Sequence, residues 1–303
     1  MKLGYVADLH GRSAHYRRLV ELVGQERPRA LILGGDQCPL AFQGDSAGQQ
    51  RAWLRATFRD FLCAVTPLCP VYWNSGNHDL AATRDVLAEL AQEYPLHLCD
   101  MRRLALDELE IAGFPYGPVS GWPFVDWSLA DEGQEAGEHG APATVMATID
   151  GRLTPVDSAT YFAGQPTLAQ RRQELVIPNP STTLLVSHYP PYGSGLDLTA
   201  SESLIGSRAL AAHLLDHPYP LTLHGHVHEA PYLAHHWATQ LGPTIACNPG
   251  QWGDSLHAVF FEWPAVAQTL THTIFGRSWR VETGPPAALM LKEQPGLWNS
   301  VTR

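Results

Sequence analysis

Over the first ninety residues, short apolar runs rich in β-branched and aromatic side chains alternate with longer stretches whose apolar positions recur at helical spacing. Residues 2–7 predict a strand, residues 12–25 a helix, and Arg29-Ala30-Leu31-Ile32-Leu33 a strand apolar on both faces, as in a buried parallel sheet. Between 47 and 65, Trp53, Leu54, Phe58, Phe61 and Leu62 fall on one helical stripe that faces a core. Val71-Tyr72-Trp73-Asn74-Ser75 predicts a third strand, and a helix follows from near Leu80 to 93. Right-handed crossovers keep such strands parallel, so their carboxyl ends collect at one sheet edge.

The pattern changes after residue 100. Runs at 102–106 and 109–113 predict a hairpin, and Gly113-Phe114-Pro115-Tyr116-Gly117-Pro118 then opens an irregular stretch. Residues 114–180, with Trp122, Phe124, Trp127 and the acidic run from Asp131 to Glu138, read as a lid or insertion, because long coil in a domain is usually functional or disordered. The sheet resumes over 182–187, a helix follows over 205–216, and a strand runs over 221–224. Beyond it, strands near 244–246, 257–262, 269–275 and 279–283 are antiparallel in character and predict the edge of a second sheet, with Asn248-Pro249-Gly250 as a turn. This reads as one domain over 1–283 with a docked or frayed tail over 284–303.

Polar constellations punctuate the strand ends. Asp8 and His10 lie two apart, so in extended backbone both project to one face and can hold one cation. An N-cap aspartate followed by a surface histidine accounts for this pair equally well. Gly34-Gly35-Asp36 brings another carboxylate to the same edge, with Cys38 close by as a small buried hydrophobe. Gly76-Asn77-His78-Asp79 sets an amide oxygen beside an imidazole, which suits a metal ligand next to a proton donor; in isolation an Asx-turn capping the next helix explains it as well. His188 precedes Tyr189-Pro190-Pro191, where the prolines stop the strand. Gly225-His226-Val227-His228 repeats the spacing of Asp8 and His10 with two imidazoles, the strongest metal signal in the chain. The remaining histidines, His257 and His272 among them, read as structural.

Asp8, His10, Asp36, Asn77, His188, His226 and His228 are oxygen and nitrogen donors without sulfur, too many for one tetrahedral ion. They suit two five- or six-coordinate ions that share a carboxylate and lower the pKa of a bridging water. His78 is left over as an acid for a leaving oxygen, and Asp79 as a group that orients a neighbour. Arg12, Tyr116, Trp122 and Trp127 are candidate substrate contacts, although aromatics of an insertion more often fasten it to the body.

A formal charge of −10 disfavours a surface that tracks nucleic-acid phosphates, and so a nuclease, while bound divalent ions would still reverse the field locally. The five cysteines are widely spaced with no C-x-x-C pair, as expected of reduced thiols in a cytosolic protein. The first residues run directly into Asp8 and leave no room for a signal-peptide core, and no apolar run reaches transmembrane length. A soluble, cytoplasmic protein is therefore expected.

In order, Asp8-x-His10, Gly35-Asp36, Gly76-Asn77-His78-Asp79, His188 and Gly225-His226-x-His228 resemble the motifs of the calcineurin-like metallophosphoesterases. The resemblance implies an α/β fold built as a four-layer α/β/β/α sandwich with two mixed sheets. It also implies one ion on Asp8, His10, Asp36 and His228, a second on Asp36, Asn77, His188 and His226, and assistance to the leaving group by His78. Two departures matter. The protein-phosphatase branch carries an arginine soon after the second block, where this chain has Gln37-Cys38-Pro39, and its third block ends in glutamate where this chain has Asp79. The outline is similar to small bacterial phosphodiesterases of the Icc-like type. A two-metal phosphoesterase acting on a small nucleotide-like or phospho-metabolite substrate through a metal-bridging hydroxide is implied, a diesterase ahead of a monoesterase. Manganese is the first expectation for the ions, with iron, zinc, cobalt or nickel also acceptable to such donors. A non-catalytic metal-binding scaffold of the same fold is the alternative from a different class.

Overall fold

The apolar runs become strands and the amphipathic stripes become helices. The computed structural model describes residues 1–40, 44–133 and 140–281. Strand β1 (Lys2–Val6), helix α1 (Ser13–Glu26) and strand β2 (Ala30–Gly34) open the chain. Helix α2 (Ser46–Trp53) starts where Asp45 accepts the Gly48 N–H at 2.9 Å, and runs through a π turn at Leu54–Phe58 into α3 (Arg59–Val65). Strand β3 (Val71–Asn74), helix α4 (Arg84–Glu93) and the short β4 (Leu96–Leu98), which the pattern did not predict, complete this part. The hairpin β5 (Arg103–Leu106) and β6 (Leu109–Phe114) follows as expected.

The described residues of the stretch over 114–180 include regular elements. The stretch holds β7 (Gly117–Pro118), β8 (Ser128–Leu129), the hairpin β9 (Thr144–Ile149) and β10 (Arg152–Asp157), and helices α5 (Ser158–Ala163) and α6 (Leu168–Glu174). Val119, Val125, Val145, Ala147 and Phe162 give it a small core of its own. Part of the predicted acidic run, residues 134–138, lies outside the described residues.

Then come β11 (Thr183–Ser187), α7 (Arg208–Asp216), β12 (Leu221–Leu223), α8 (Ala230–Leu233), β13 (Ala238–Leu241), β14 (Thr244–Cys247), β15 (Val259–Glu262), α9 (Val266–Thr269) and β16 (Thr271–His272). One mixed sheet has the order β16-β15-β1-β2-β3-β4 and the other β13-β14-β12-β11-β6-β5. In the last third, β14 pairs antiparallel with the edge strand β13, in keeping with its expected character, and parallel with β12, whereas β15 corrects the expectation by returning to pair antiparallel with β1 in the first sheet instead of edging the second. The strand expected over 269–275 is only β16, because His272 and Gly276 exchange backbone hydrogen bonds and fold the chain back. Of the strand expected over 279–283, Arg280 makes only an isolated bridge to His236; residues 282–283 and the tail over 284–303 lie outside the described residues.

Period-two alternation decides which side chains meet. Leu3, Tyr5 and Ile32 from the first sheet pack on Ile111, Leu184, Val186 and Leu223 from the second. Val6, Leu31 and Leu33 turn outward onto Leu19, Phe58, Leu62 and Leu87 of the helices. Ala112 and Leu185 turn to Leu168, Leu210 and Leu214 of α6 and α7 on the opposite outer face. The layers are therefore helix, sheet, sheet, helix. The buried Tyr5 hydroxyl crosses the seam and donates to the His224 carbonyl at 2.8 Å, a net contribution of about 1 kcal/mol. Among the described residues no helix is long and apolar enough to cross a membrane.

His257 and His272 are buried, ring against ring at 5.2 Å, and both donate to the Pro249 carbonyl, at 3.1 and 3.0 Å. The other ring nitrogen of His272 accepts the Ile274 and Phe275 N–H groups, so the neutral tautomer is fixed. Burial, and then His257, push the His272 pKa down to about 3 from 6.5. A depressed histidine contributes stability that is complete above its unfolded pKa and is lost as the pH falls below about 6.5. Between pH 7.5 and 5 this histidine should cost about 2 kcal/mol of unfolding free energy. Urea titrations at both pH values should show a smaller loss in His272→Gln, whose amide can make the same bonds without titrating; an equal loss would remove His272 from the account.

Candidate metal centre

Five loops at the carboxyl ends of β1, β2, β3, β11 and β12 meet over the seam between the sheets. The loops after β1 and β2 are zipped together by backbone: Asp8 N–H to the Gly35 carbonyl at 3.0 Å, His10 to Asp36 at 2.9 Å, and Gly11 to Gln37 at 2.8 Å. Asp8, His10, Asp36 and His226 all have positive φ, of 61°, 46°, 54° and 69°. Left-handed backbone is uncommon for such residues and clusters at functional sites, where the surroundings hold it.

That conformation corrects the expected geometry. Neither Asp8 and His10 nor His226 and His228 share a face by strand alternation, since these residues lie beyond the strand ends in turns. The turns send the second pair to different clusters: His228 joins Asp8 and His10, whereas His226 joins Asp36 and His188. Between the two, Asp36 and His10 also lie within reach of His78. Glycines permit the approach. A Cβ on Gly35, whose φ is +104°, would lie 2.4 Å from the His188 ring, and one on Gly225 would lie 2.5 Å from an Asp8 carboxylate oxygen.

Each carboxylate is held by the backbone and faces imidazoles. Asp36 Oδ1 accepts the His78 N–H at 2.8 Å, while its Oδ2 lies 3.3 Å from His188 Nε2, 3.7 Å from His78 Nε2 and 3.8 Å from His10 Nε2. Asp8 accepts the His226 N–H with both oxygens at 3.1 Å, and its Oδ1 lies 3.4 Å from His228 Nε2 and 3.8 Å from His188 Nε2. Burial by itself would raise the Asp36 carboxyl, yet the imidazoles of His188, His78 and His10 hold it well below the usual carboxylate range. Burial by itself would lower His188, yet Asp36 and then Asp8 raise it to about 9, so a cation taken up there displaces a proton.

The imidazoles converge on common points. His188 donates from Nδ1 to the Gly34 carbonyl at 2.9 Å, which turns Nε2 toward the carboxylates, and among the described residues that buried atom makes no hydrogen bond. His10 Nε2 and His228 Nε2 face each other at 3.1 Å, and His226 Nδ1 and the Asn77 amide oxygen at 2.9 Å. Burial pushes His10 and His226 well below the ordinary histidine value, so both are neutral and able to ligate. Imidazole nitrogens and carboxylate oxygens converging in two clusters that share this space fit divalent cations. Asp8 and Asp36 are buried, whereas His78 and His228 retain side-chain exposures of 15% and 29%, so the opening lies on their side.

Other predicted site residues have different positions. The Asp79 carboxylate is buried and taken up by the N–H groups of Gln37, Cys38 and Gly76. It ties the second loop to the third, a fastening position for a residue that the sequence offers as an orienting group. Trp127 is 3% exposed and donates to the Asp79 carbonyl at 2.6 Å, so it fastens the insertion and presents no face to a substrate. Tyr116 packs on Trp127 at 5.5 Å and lies under the Arg171 guanidinium, again a packing position. Arg12 donates to the Gly253 carbonyl at 3.0 Å. Trp122 alone of these reaches the centre, with its ring 4.5 Å from His78.

The motif reading missed two supports. Asp100 accepts the Ser75 N–H and hydroxyl at 2.7 and 2.8 Å and steadies the loop of Asn77. Asn248 donates to the carbonyls of Leu196, Gly225 and Val227 and clamps the loop of His226 and His228. The Asn248-Pro249-Gly250 turn signals the second; nothing near Asp100 in the sequence signals the first.

No curated protein matches the sequence. One solved structure, 13% identical over 91% of this chain and 99% of its own, has a TM-score of 0.61. TT1561 of Thermus thermophilus, 15% identical over 89% of this chain and 97% of its own, has a TM-score of 0.54. At such identities the likeness establishes the fold. The family model described as calcineurin-like phosphoesterase matches residues 1–230, which span every residue of the donor clusters. The chain belongs to the calcineurin-like phosphoesterase family, a family of metal-dependent phosphoester hydrolases.

Proposed function

We propose that this protein is a two-metal phosphodiesterase for a small phosphorylated substrate. The observation that carries the reading is the pair of adjoining donor clusters with a further imidazole, His78, beside them at the opening. Asp8, His10, Asp36 and His228 would hold one divalent ion, and Asp36, Asn77, His188 and His226 the other. Bound there, two ions supply a lowered pKa for water and neutralise charge on the phosphoryl oxygens. Manganese is the first choice, and the donor set also suits iron, zinc, cobalt or nickel.

The chain's own residues do the rest. Asp8 and Asp36 provide the fixed negative charge, and their backbone hydrogen bonds set the direction in which each carboxylate faces. His78 lies where it can deliver a proton to the departing oxygen, and the Trp122 ring restricts its rotation from the outer side. Asp79 and Gln50 hold the His78 loop in place through backbone contacts. Preference for a diester rests on charge. A phosphomonoester dianion calls for more cations than a diester, and after Asp36 the chain continues Gln37-Cys38-Pro39, without the arginine that follows this block in the phosphatase branch. A non-catalytic scaffold would have no use for an additional imidazole at the opening.

Metal-stripped protein given back manganese should cleave an aryl phosphodiester faster than the matching aryl phosphomonoester, and neither before addition. Faster release from the monoester would make it a phosphatase, and no release from either with two metals bound per chain would favour the scaffold. His78→Ala should keep the metal content of the parent, measured by elemental analysis, and lose at least about a hundredfold in kcat. Asp36→Ala should lose both metal and turnover. Parent-like kcat in His78→Ala would take the proton from His78.

A further inference from the structure

Beside the His226 side of the centre lies a cavity of about 440 Å³, lined on its inner wall by His226 and Tyr189 and on its outer walls by Tyr192, Leu204, Ile205 and Arg208. Tyr189 is buried with its ring 4.1 Å from that of His226, so the cavity begins at the donor clusters. Its lining includes a stacked pair. The Arg208 guanidinium carbon sits 3.6 Å from the centre of the Tyr192 ring. Among the described residues the Arg208 side chain makes no hydrogen bond and no ion pair, whereas Arg18, Arg29, Arg51, Arg55 and Arg59 each have a carboxylate partner. Leu204 and Ile205, 40% and 38% exposed, stand on the same wall.

The walls are set by backbone. Tyr192 and Ser207 hydrogen-bond across the base of the 190–207 loop, and the buried Asp197 carboxylate accepts the Gly193 and Gly206 N–H groups. Asp131, also on the lining, has its two oxygens on the Arg208 and Ala209 N–H groups at the start of α7. Its charge and that of Glu132 argue against a distal anion in this space, and the apolar wall would give an anion nothing. A guanidinium with one face on tyrosine offers its other face and its edge N–H groups to a flat ring bearing acceptors.

Resting on the phosphodiesterase reading, we infer that this cavity takes the nucleobase of a nucleotide diester, stacked on the Arg208–Tyr192 pair, with the scissile phosphate toward His226. Arg208 and Tyr192 are then the residues that set substrate preference. Only the sugar and base side of the diester enters; the leaving alcohol departs past His78.

The test uses the manganese-loaded full chain and two diesters with the same leaving group, thymidine 5′-(p-nitrophenyl phosphate) and methyl p-nitrophenyl phosphate. The parent should favour the thymidine ester in kcat/KM, and Arg208→Ala should lower the thymidine-to-methyl ratio by roughly tenfold, chiefly through KM, as loss of one base-stacking contact would. Arg208→Lys keeps the charge and loses the plane, so it should fall nearly as far. An unchanged ratio in Arg208→Ala overturns the inference, and a ratio kept by Arg208→Lys replaces stacking with simple charge attraction and overturns it too. Calorimetric titration of each loaded protein with thymidine 5′-monophosphate and with methyl phosphate supplies a readout independent of turnover. If neither diester is cleaved, the phosphodiesterase reading fails, and tighter binding of the thymidine ligand that Arg208→Ala abolishes still supports the base site. Equal binding of the two ligands by the parent overturns it.

Discussion

Two carboxylates buried within one loop cluster are the constraint on which the rest of this structure depends. Asp8 and Asp36 are withdrawn from water, and such charges are stable only when paired or bound to a cation. The protein surrounds them with imidazoles, and the backbone sets the tautomer and orientation of His188 through its bond to the Gly34 carbonyl. Neutral His10 and His226 leave room for cations to carry the compensating charge. The left-handed residues in these turns, costly in isolation, persist because the ladder between the first two loops over-determines them.

The two-sheet architecture supplies the rigidity this needs. Each sheet delivers loops from parallel strands, and the Tyr5 hydroxyl, bonded to the His224 carbonyl, ties the strand before Asp8 to the segment before His226. Asn248 and the His257–His272 pair extend that support from behind, gripping the Pro249 turn and through it the last metal-site loop. Buried polar residues of this kind act as a unit, so the loss of one is felt at the centre though none of them touches it.

The insertion is part of the same support. Asp126 accepts the Ala81 N–H at 2.8 Å, and Trp127 bonds to Asp79, so the small hairpin domain is pinned to the loop that presents His78. The Trp122 ring lies against His78, and the residues just before it, Ser120 and Gly121, line the cavity that Tyr192 and Arg208 also line.

Motif and periodicity alone determined the first three strands, the hairpin after residue 102, and which His and Asp residues between 8 and 228 the fold gathers into donor clusters, because strand ends marked by glycine and by clustered His, Asp and Asn leave a local record. They determined less past residue 244, where β15 crosses back to the first sheet; nothing local tells a strand which sheet will accept its edge. The separation of His226 from His228 likewise came only with tertiary structure. The spacing put them on one face, and a positive φ imposed by Asp8 and by the close approach at Gly225 put them in different clusters. Asp79 reads as an orienting group in the sequence and binds backbone in the fold, and Trp127, which the sequence leaves between substrate contact and anchor, is an anchor. Burial, which depends on residues far along the chain, decides between those roles, and residue type does not.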